Sequence, residues 1–342
     1  MQYRVLGSTG IRVSVVSFGA GPVPALLTSS DVRSQRDVVA RAIKQGINWF
    51  DTAATYGAGQ SERSLGVALE ELGRPTDVHV ATKVRLMDEH LVDIAGSVKS
   101  SVAASLKRLR LERVTLLQLH NSVTAGLGDE PTSLTPSHVL CQGGVLEAMQ
   151  DLQQAGMVEH LGLTGLGQPA ALLEVIDSAA LQTIQIPYNL LNRSAGENVA
   201  GTFKEANYGN LITECGKRNM GVFAIRVLAG GAMVDQEPSA HTLTTKFFPL
   251  DLYERDRRRA RSIERELPRG LTLKDAAVRF VLSHPNVTSA IVGLSSGQQI
   301  DEAVRFAEAG PLEPTVLDAL RRAADRESGR DTPTAADRRS ST

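Results

Sequence analysis

The sequence is poor in cysteine, in clustered metal ligands and in long apolar runs. Its two cysteines, Cys141 and Cys215, stand far apart and outside any CxxC or Cys/His cluster, so neither a disulfide framework nor a zinc site is indicated. The seven histidines never fall at a metal-ligand spacing such as HxxxH, and no metal is expected. No apolar stretch approaches the length of a membrane span, and the opening MQYRVLGSTG lacks the apolar core of a signal peptide. A reducing, cytoplasmic setting is the expectation. An excess of charge is missing too: 37 Lys+Arg face 38 Asp+Glu, a net charge of -1, so no global field draws nucleic acid or an anionic membrane. An anionic ligand must be caught by local geometry.

What is present is the composition of an ordinary soluble globular protein, 42% hydrophobic and 22% charged over 342 residues, able to bury a sizeable core unaided. After a hairpin pattern (3–6, the turn Gly7-Ser8-Thr9-Gly10, then 11–13), short apolar, β-branched runs alternate with longer amphipathic stretches. The runs cover 15–19, 47–53, 78–84, 114–120, 160–165, 183–188, 222–227 and 289–294, each mostly continuous, as parallel strands under helices require. Helical stripes are predicted at 34–45, 59–69, 98–109, 145–152, 171–176, 211–215, 276–282 and 300–306. Such an α/β pattern suits a doubly wound sheet or a closed barrel. The barrel is favoured by size and because the first βα turn, Phe18-Gly19-Ala20-Gly21-Pro22, lacks the GxGxxG phosphate loop. A single (β/α)8 TIM barrel over 1–325 is expected, with a polar, disordered tail over 326–342. Connections at 122–142 and 233–252 are long for a compact domain and leave the C-terminal face, where they can wall a pocket.

Four residues stand out by position. Asp51, Lys83 and His120 each close a predicted strand, the second, third and fourth, and Tyr56 lies just past Asp51. In a barrel those strand ends converge on one face. A buried lysine needs a counter-charge, and Asp51 is on the neighbouring strand. An ammonium beside a phenol favours the phenolate, so Tyr56 can give a proton to a carbonyl oxygen while His120 orients that oxygen with a hydrogen bond.

These residues resemble the aldo-keto reductase superfamily. The resemblance is carried by Leu6-Gly7-Ser8-Thr9-Gly10, Asn48-Trp49-Phe50-Asp51-Thr52-Ala53, Tyr56-Gly57, Gly59-Gln60-Ser61-Glu62, Leu65-Gly66, Ala81-Thr82-Lys83 and Leu116-Leu117-Gln118-Leu119-His120. It implies a barrel plugged by an N-terminal hairpin, a nicotinamide cofactor across the top, and Asp51, Tyr56, Lys83 and His120 as a catalytic tetrad. It implies NADP(H) first and NAD(H) as the alternative. The cofactor path it implies runs over Gly19, Thr164, Gly165, Gln185, Arg226, Leu228, Gly230, Gly293, Ser295, Gln299 and Glu302.

Several of these depart from the family pattern. Gly162-Leu163-Thr164-Gly165-Leu166 has Thr-Gly where the family has Ser-Asn, resembling the galactose-dehydrogenase-like branch, some of whose members use NAD. Ile225 takes the place of a stacking aromatic, and Arg226 has a donor fork suited to a pyrophosphate. Ser295 and Ser296 can cap a helix whose free N–H groups favour a phosphate, yet no Lys or Arg falls in 295–299; Lys246 or Arg226 can compensate. The predicted pocket loops carry Val23, Pro24, Leu26 and Leu27, then Val123, Leu127 and Leu134, then Phe247, Phe248, Leu250 and Tyr253. They hold no cluster of fixed charge, which points to a small neutral carbonyl compound or sugar-like lactol. Carbonyl reduction is the expected activity. NAD-linked lactol oxidation is the alternative, and a cofactor-sensing subunit like the potassium-channel β subunits is a third reading.

Overall fold

The computed structural model of the chain describes residues 1–199, 203 and 205–330. Two short strands, β1 (Tyr3–Val5) and β2 (Arg12–Ser14), pair antiparallel with Tyr3 opposite Ser14. The eight expected parallel strands follow as β3 (Val16–Gly19), β4 (Trp49–Asp51), β5 (His79–Val84), β6 (Val114–Leu119), β7 (Val158–Thr164), β8 (Thr183–Pro187), β9 (Gly221–Ile225) and β10 (Ser289–Gly293). They close in chain order, with β10 paired to both β9 and β3. The fold is the expected (β/α)8 barrel with its N-terminal hairpin.

Around it lie α1 (Val32–Lys44), α2 (Gln60–Glu71), α3 (Ile94–Leu109), α4 (Pro136–Leu140), α5 (Val145–Gln154), α6 (Pro169–Ile176) and α7 (Leu211–Lys217). The C-terminal part adds α8 (Ala240–Thr244), α9 (Leu250–Glu264), α10 (Leu273–Leu282), α11 (Gly297–Glu308) and α12 (Pro314–Arg330). With helices outside and side chains inside, the strands are covered on both faces, which is why β6 is buried at all six positions.

The alternation of side chains along a strand builds the barrel interior in layers. Trp49 and Asp51, Ala81 and Lys83, and Leu116 and Gln118 are pairs two apart, so each pair points to one face, one layer above the other. The lower members join Leu6 and Val13 of the hairpin region, Phe223 and Ile291 in an apolar cluster. Trp49 and Phe223 pack in a tilted pair with ring centroids 4.7 Å apart. The hairpin closes this N-terminal end, Ser8 N–H donating to the Asn219 carbonyl oxygen just before β9 (2.8 Å). The upper members are polar and equally buried; they form the floor of the site.

The chain departs from the sequence expectation mainly near its C-terminus. Helix α9 has no clean apolar stripe because charged Asp256 and Arg259 share its buried side with Tyr253, Ala260 and Ile263. Arg255 and Arg259 reach Glu205 at 2.8 and 2.5 Å, so buried ion pairing replaces part of the apolar signal. Helix α12 runs on to Arg330, past the expected domain end at 325, because Ala323 and Ala324 are buried and Arg326 pairs with Glu266. The rest of the expected tail, 331–342, lies outside the described residues. Among the described residues no helix is long and apolar enough to cross a membrane.

Two contacts lock the wall behind the site. Gly66 brings α2 onto the backbone of α3, where a Cβ would sit 2.6 Å from the Leu109 carbonyl. Glu62, fully buried, accepts from Arg108 Nε of α3 (2.5 Å) and from the Thr82 hydroxyl of β5. Removing one partner of a buried ion pair strands the other. Glu62→Ala is therefore expected to lower stability by about 3 kcal/mol, and Glu62→Gln by less. Urea-unfolding midpoints check this, and a Glu62→Ala protein as stable as wild type would show that the clamp carries no weight.

Candidate active site

Asp51 closes β4, Lys83 sits in β5, and His120 follows β6, each delivered by a strand whose register is set by its neighbour: Asp51 pairs with Ala81 and Lys83 with Gln118. Tyr56 comes from the turn between β4 and α2. The structure brings the four together. Lys83 Nζ donates to Asp51 Oδ1 (2.5 Å), the Thr52 carbonyl oxygen (2.8 Å) and the Tyr56 hydroxyl (3.3 Å), which uses all three ammonium protons. Asp51 Oδ2 accepts from Gln118 Nε2 (3.3 Å) and from Gln185 Nε2.

The electrostatics follow from this packing. Lys83 is 1% exposed, and burial alone would pull its pKa down, but the Asp51 carboxylate and Tyr56 outweigh it and hold the pKa above the ordinary lysine value. The ammonium stays charged. His120 goes the other way: burial first, then the charges of Arg85 and Lys83, push it well below the usual imidazole range. Its ring is neutral near pH 7. Nδ1 lies 3.4 Å from the Thr55 hydroxyl, and the ring meets Tyr56 edge-on with centroids 5.7 Å apart.

A cleft of about 660 Å³ opens at the C-terminal ends of the strands, bordered by Asp51, Tyr56 and His120. Lys83 sits behind it. Of the sequence-predicted cofactor positions, Gly19, Thr164, Gln185 and Gly293 border the cleft at strand ends, and Arg226, Leu228, Gly230 and Gln299 border it from the following segments. Three others do not. Gly165 is required by packing, since a Cβ there would lie 2.9 Å from Ile184 Cδ1. Ser295 donates from its N–H (2.7 Å) and hydroxyl (3.0 Å) to Gln299 Oε1. Glu302 is engaged by Lys274 (2.6 Å) and Gln298 (2.9 Å). Ser296, rather than Ser295, caps α11, accepting from the Gln299 N–H.

Of the predicted pocket residues, Val23, Pro24, Phe247 and Phe248 border the cleft. Leu26, Leu27, Val123, Leu134 and Tyr253 are buried in packing instead, and Leu127 and Leu250 are exposed. The connection after β9 supplies a long stretch of wall, whereas the segment after β6 supplies His120 and Pro131.

Sequence reasoning missed Thr55, Arg85, Gln118 and Lys274. Gln118 was the most legible of these, a polar residue two places above Leu116 in a strand that is otherwise apolar except for Thr115. Lys274 enters from α10 and had no local signal.

The residues fit a dinucleotide. Arg226 has a positive φ of 55° and lays its guanidinium 3.6 Å over the Phe248 ring. It makes no side-chain hydrogen bond or ion pair with another described residue, so a desolvated cation in the cleft wall is left for an anion such as a pyrophosphate. Among the described residues no group of three or more His, Cys, Asp or Glu is placed to hold a metal.

The aldo/keto reductase family model matches residues 16–325. The chain is 28% identical to L-galactose dehydrogenase of Arabidopsis thaliana, over 89% of this chain and 87% of that one. It is 27% identical to a probable voltage-gated potassium channel subunit beta of the same plant, over 94% and 95% of the two chains. In structure it superposes on an aldo-keto reductase from Bacillus halodurans in its holo form with a TM-score of 0.70 at 23% identity, covering 94% of this chain and 96% of that one. The chain belongs to the aldo/keto reductase family of NAD(P)-dependent oxidoreductases.

Proposed function

We propose that the protein reduces an aldehyde or ketone to the alcohol, with Tyr56 as proton donor. The observation that carries this reading is the buried Lys83 ammonium bridging Asp51 Oδ1 at 2.5 Å and the Tyr56 hydroxyl at 3.3 Å. A nicotinamide cofactor, when bound along the wall formed by Thr164, Gln185 and Arg226, would supply hydride chemistry to the carbonyl carbon. Tyr56 accepts from Lys83 and keeps its own proton for the carbonyl oxygen. The ammonium stabilises the phenolate that remains, and Asp51, held by Gln118 and Gln185, keeps the ammonium in place. Neutral His120, with Nδ1 facing Thr55, offers an N–H from Nε2 to the same oxygen. Two donors preorganised around a developing alkoxide supply the electrostatic stabilisation.

Arg226, stacked on Phe248, would hold a cofactor phosphate, with the capped start of α11 nearby in the cleft wall. Arg226 and Lys246, both bordering the cleft, support NADP(H) ahead of NAD(H). The likeness to a plant L-galactose dehydrogenase supports a second reading, NAD-linked oxidation of a sugar lactol, in which Tyr56 takes the proton back. Comparing NADPH and NADH dissociation constants separates the two, because a strong NADH preference would favour lactol oxidation.

Tyr56→Phe is expected to reduce kcat by at least about a hundredfold, the scale of general acid catalysis, while NADPH binding stays near wild type; steady-state kinetics and fluorescence titration measure both, and a Tyr56→Phe enzyme with wild-type kcat rules out Tyr56 as the acid. Since His120 is held well below its ordinary value of 6.5, its ring stays neutral as pH falls through that value. The kcat/KM profile should be smooth there, and a break near 6.5 that His120→Asn removes would contradict the neutral assignment. Arg226→Leu is expected to weaken NADPH binding by about tenfold or more, one charge-assisted hydrogen bond's worth; unchanged affinity would detach Arg226 from the phosphates.

A further inference from the structure

The alternation that places Ala81 and Lys83 inside the barrel brings Arg85 next to the same face, just beyond the end of β5. Arg85 borders the cleft beside Tyr56 and His120. One Nη donates to the His120 carbonyl oxygen (3.2 Å), and the guanidinium lies 5.3 Å over the Phe247 ring. Its Nε is shut off from solvent and has no hydrogen-bond partner among the described residues. Nor does any described carboxylate pair with it, whereas Arg41, Arg108 and Arg193 each hold one. A half-buried cation without a counter-charge is costly to keep, and burial pulls its pKa down.

Its place in the barrel separates it from the phosphate-suited Arg226. Strand β5 is four strands from β9 whichever way the ring is followed, so the two arginines enter the cleft from opposite walls. Arg226 shares its side with the strand-end glycine of β10 and the start of α11. Arg85 shares its side with the groups proposed to act on the carbonyl oxygen.

We propose that Arg85 is a substrate-binding residue that grips a carboxylate, so that the substrate is an oxo acid, an aldehyde or ketone carrying a carboxylate elsewhere in the molecule. One Nη is held by the His120 carbonyl, while the other is neither hydrogen-bonded to a described residue nor shut off from solvent, so it offers a carboxylate a charge-assisted donor. The phenyl ring of Phe247 beneath it limits water and strengthens the pairing. A sequence without clustered charge in its pocket loops pointed to a neutral substrate; the charge instead comes from a strand end. This assignment of substrate class rests on the reading of Tyr56 and the cofactor given above.

The test compares matched aldehydes with NADPH: succinic semialdehyde against butanal, and 4-carboxybenzaldehyde against methyl 4-formylbenzoate, for wild type, Arg85→Gln and Arg85→Lys. The expected wild-type result is a kcat/KM at least about tenfold higher for the charged member of a pair, expressed mainly in KM. Arg85→Gln should erase that ratio by raising KM for the charged member, and Arg85→Lys should restore part of it. Equal kcat/KM within both wild-type pairs, or an Arg85→Gln loss of the same factor for both members, overturns the carboxylate assignment and leaves the Tyr56 reading standing; the latter result would make Arg85 a support for the His120 backbone. Should wild type turn over none of the four, carbonyl reduction itself fails. Calorimetric binding of 4-hydroxybutanoate and butan-1-ol to the NADP-loaded protein then judges Arg85 separately: tighter carboxylate binding that Arg85→Gln abolishes supports it, and equal binding overturns it.

Discussion

A lysine ammonium enclosed in a barrel loses its hydration, and nothing in an apolar interior replaces it. Lys83 is kept charged by a complete shell: Asp51, the Thr52 carbonyl and the Tyr56 hydroxyl take its three protons. Asp51 in turn is held on its other oxygen by Gln118 and Gln185. Such a set tolerates little displacement, because removing any member leaves a buried charge or donor unpaired. The polar layer therefore has to stand on something rigid. The apolar cluster of Trp49, Ala81, Leu116, Phe223 and Ile291, sealed from below by Leu6, provides that footing one residue pair down the same strands.

The site draws its chemistry from burial acting in opposite directions on neighbouring groups. The same desolvation that is overcome at Lys83 by Asp51 is reinforced at His120 by Arg85 and Lys83. One group ends up a fixed cation and the other a neutral ring, both beside Tyr56. Around them an almost neutral molecule, net charge -1, gathers cations into one cleft: Arg85 after β5, and Arg226, Lys246 and Lys274 from the segments between β9 and β10. Local concentration of one sign in a low-dielectric cleft does what net charge cannot.

Much of this was legible in the chain. The eight strand runs and the stretches between them mark the barrel because parallel strands covered on both faces read as continuous apolar segments. The tetrad is legible because strand ends of a barrel meet on one face, so residues 51, 83 and 120 must be close if their strands are consecutive. Helix α9 was not legible: Asp256 and Arg259 face inward and are paired there, and a charged buried stripe has no hydrophobic period. Helix α12 was hidden for a similar reason, since its outer partners, Glu266 and Arg193, lie far away in sequence.

The order of strands, their apolar character and the period-two placement of Asp51, Lys83 and Gln118 were determined by the sequence alone, because alternation along a strand is a local property. Which polar groups face each other was decided only by closure of the barrel. Gln185 turns its amide to Asp51 across the interior. Gly165 leaves room for the side chain of Ile184 on the next strand. Arg85 and Arg226, both just past the ends of strands, are set on opposite walls by the four-strand separation of β5 and β9. Those relations join residues tens to more than a hundred positions apart, and no window of sequence contains the geometry that brings them together.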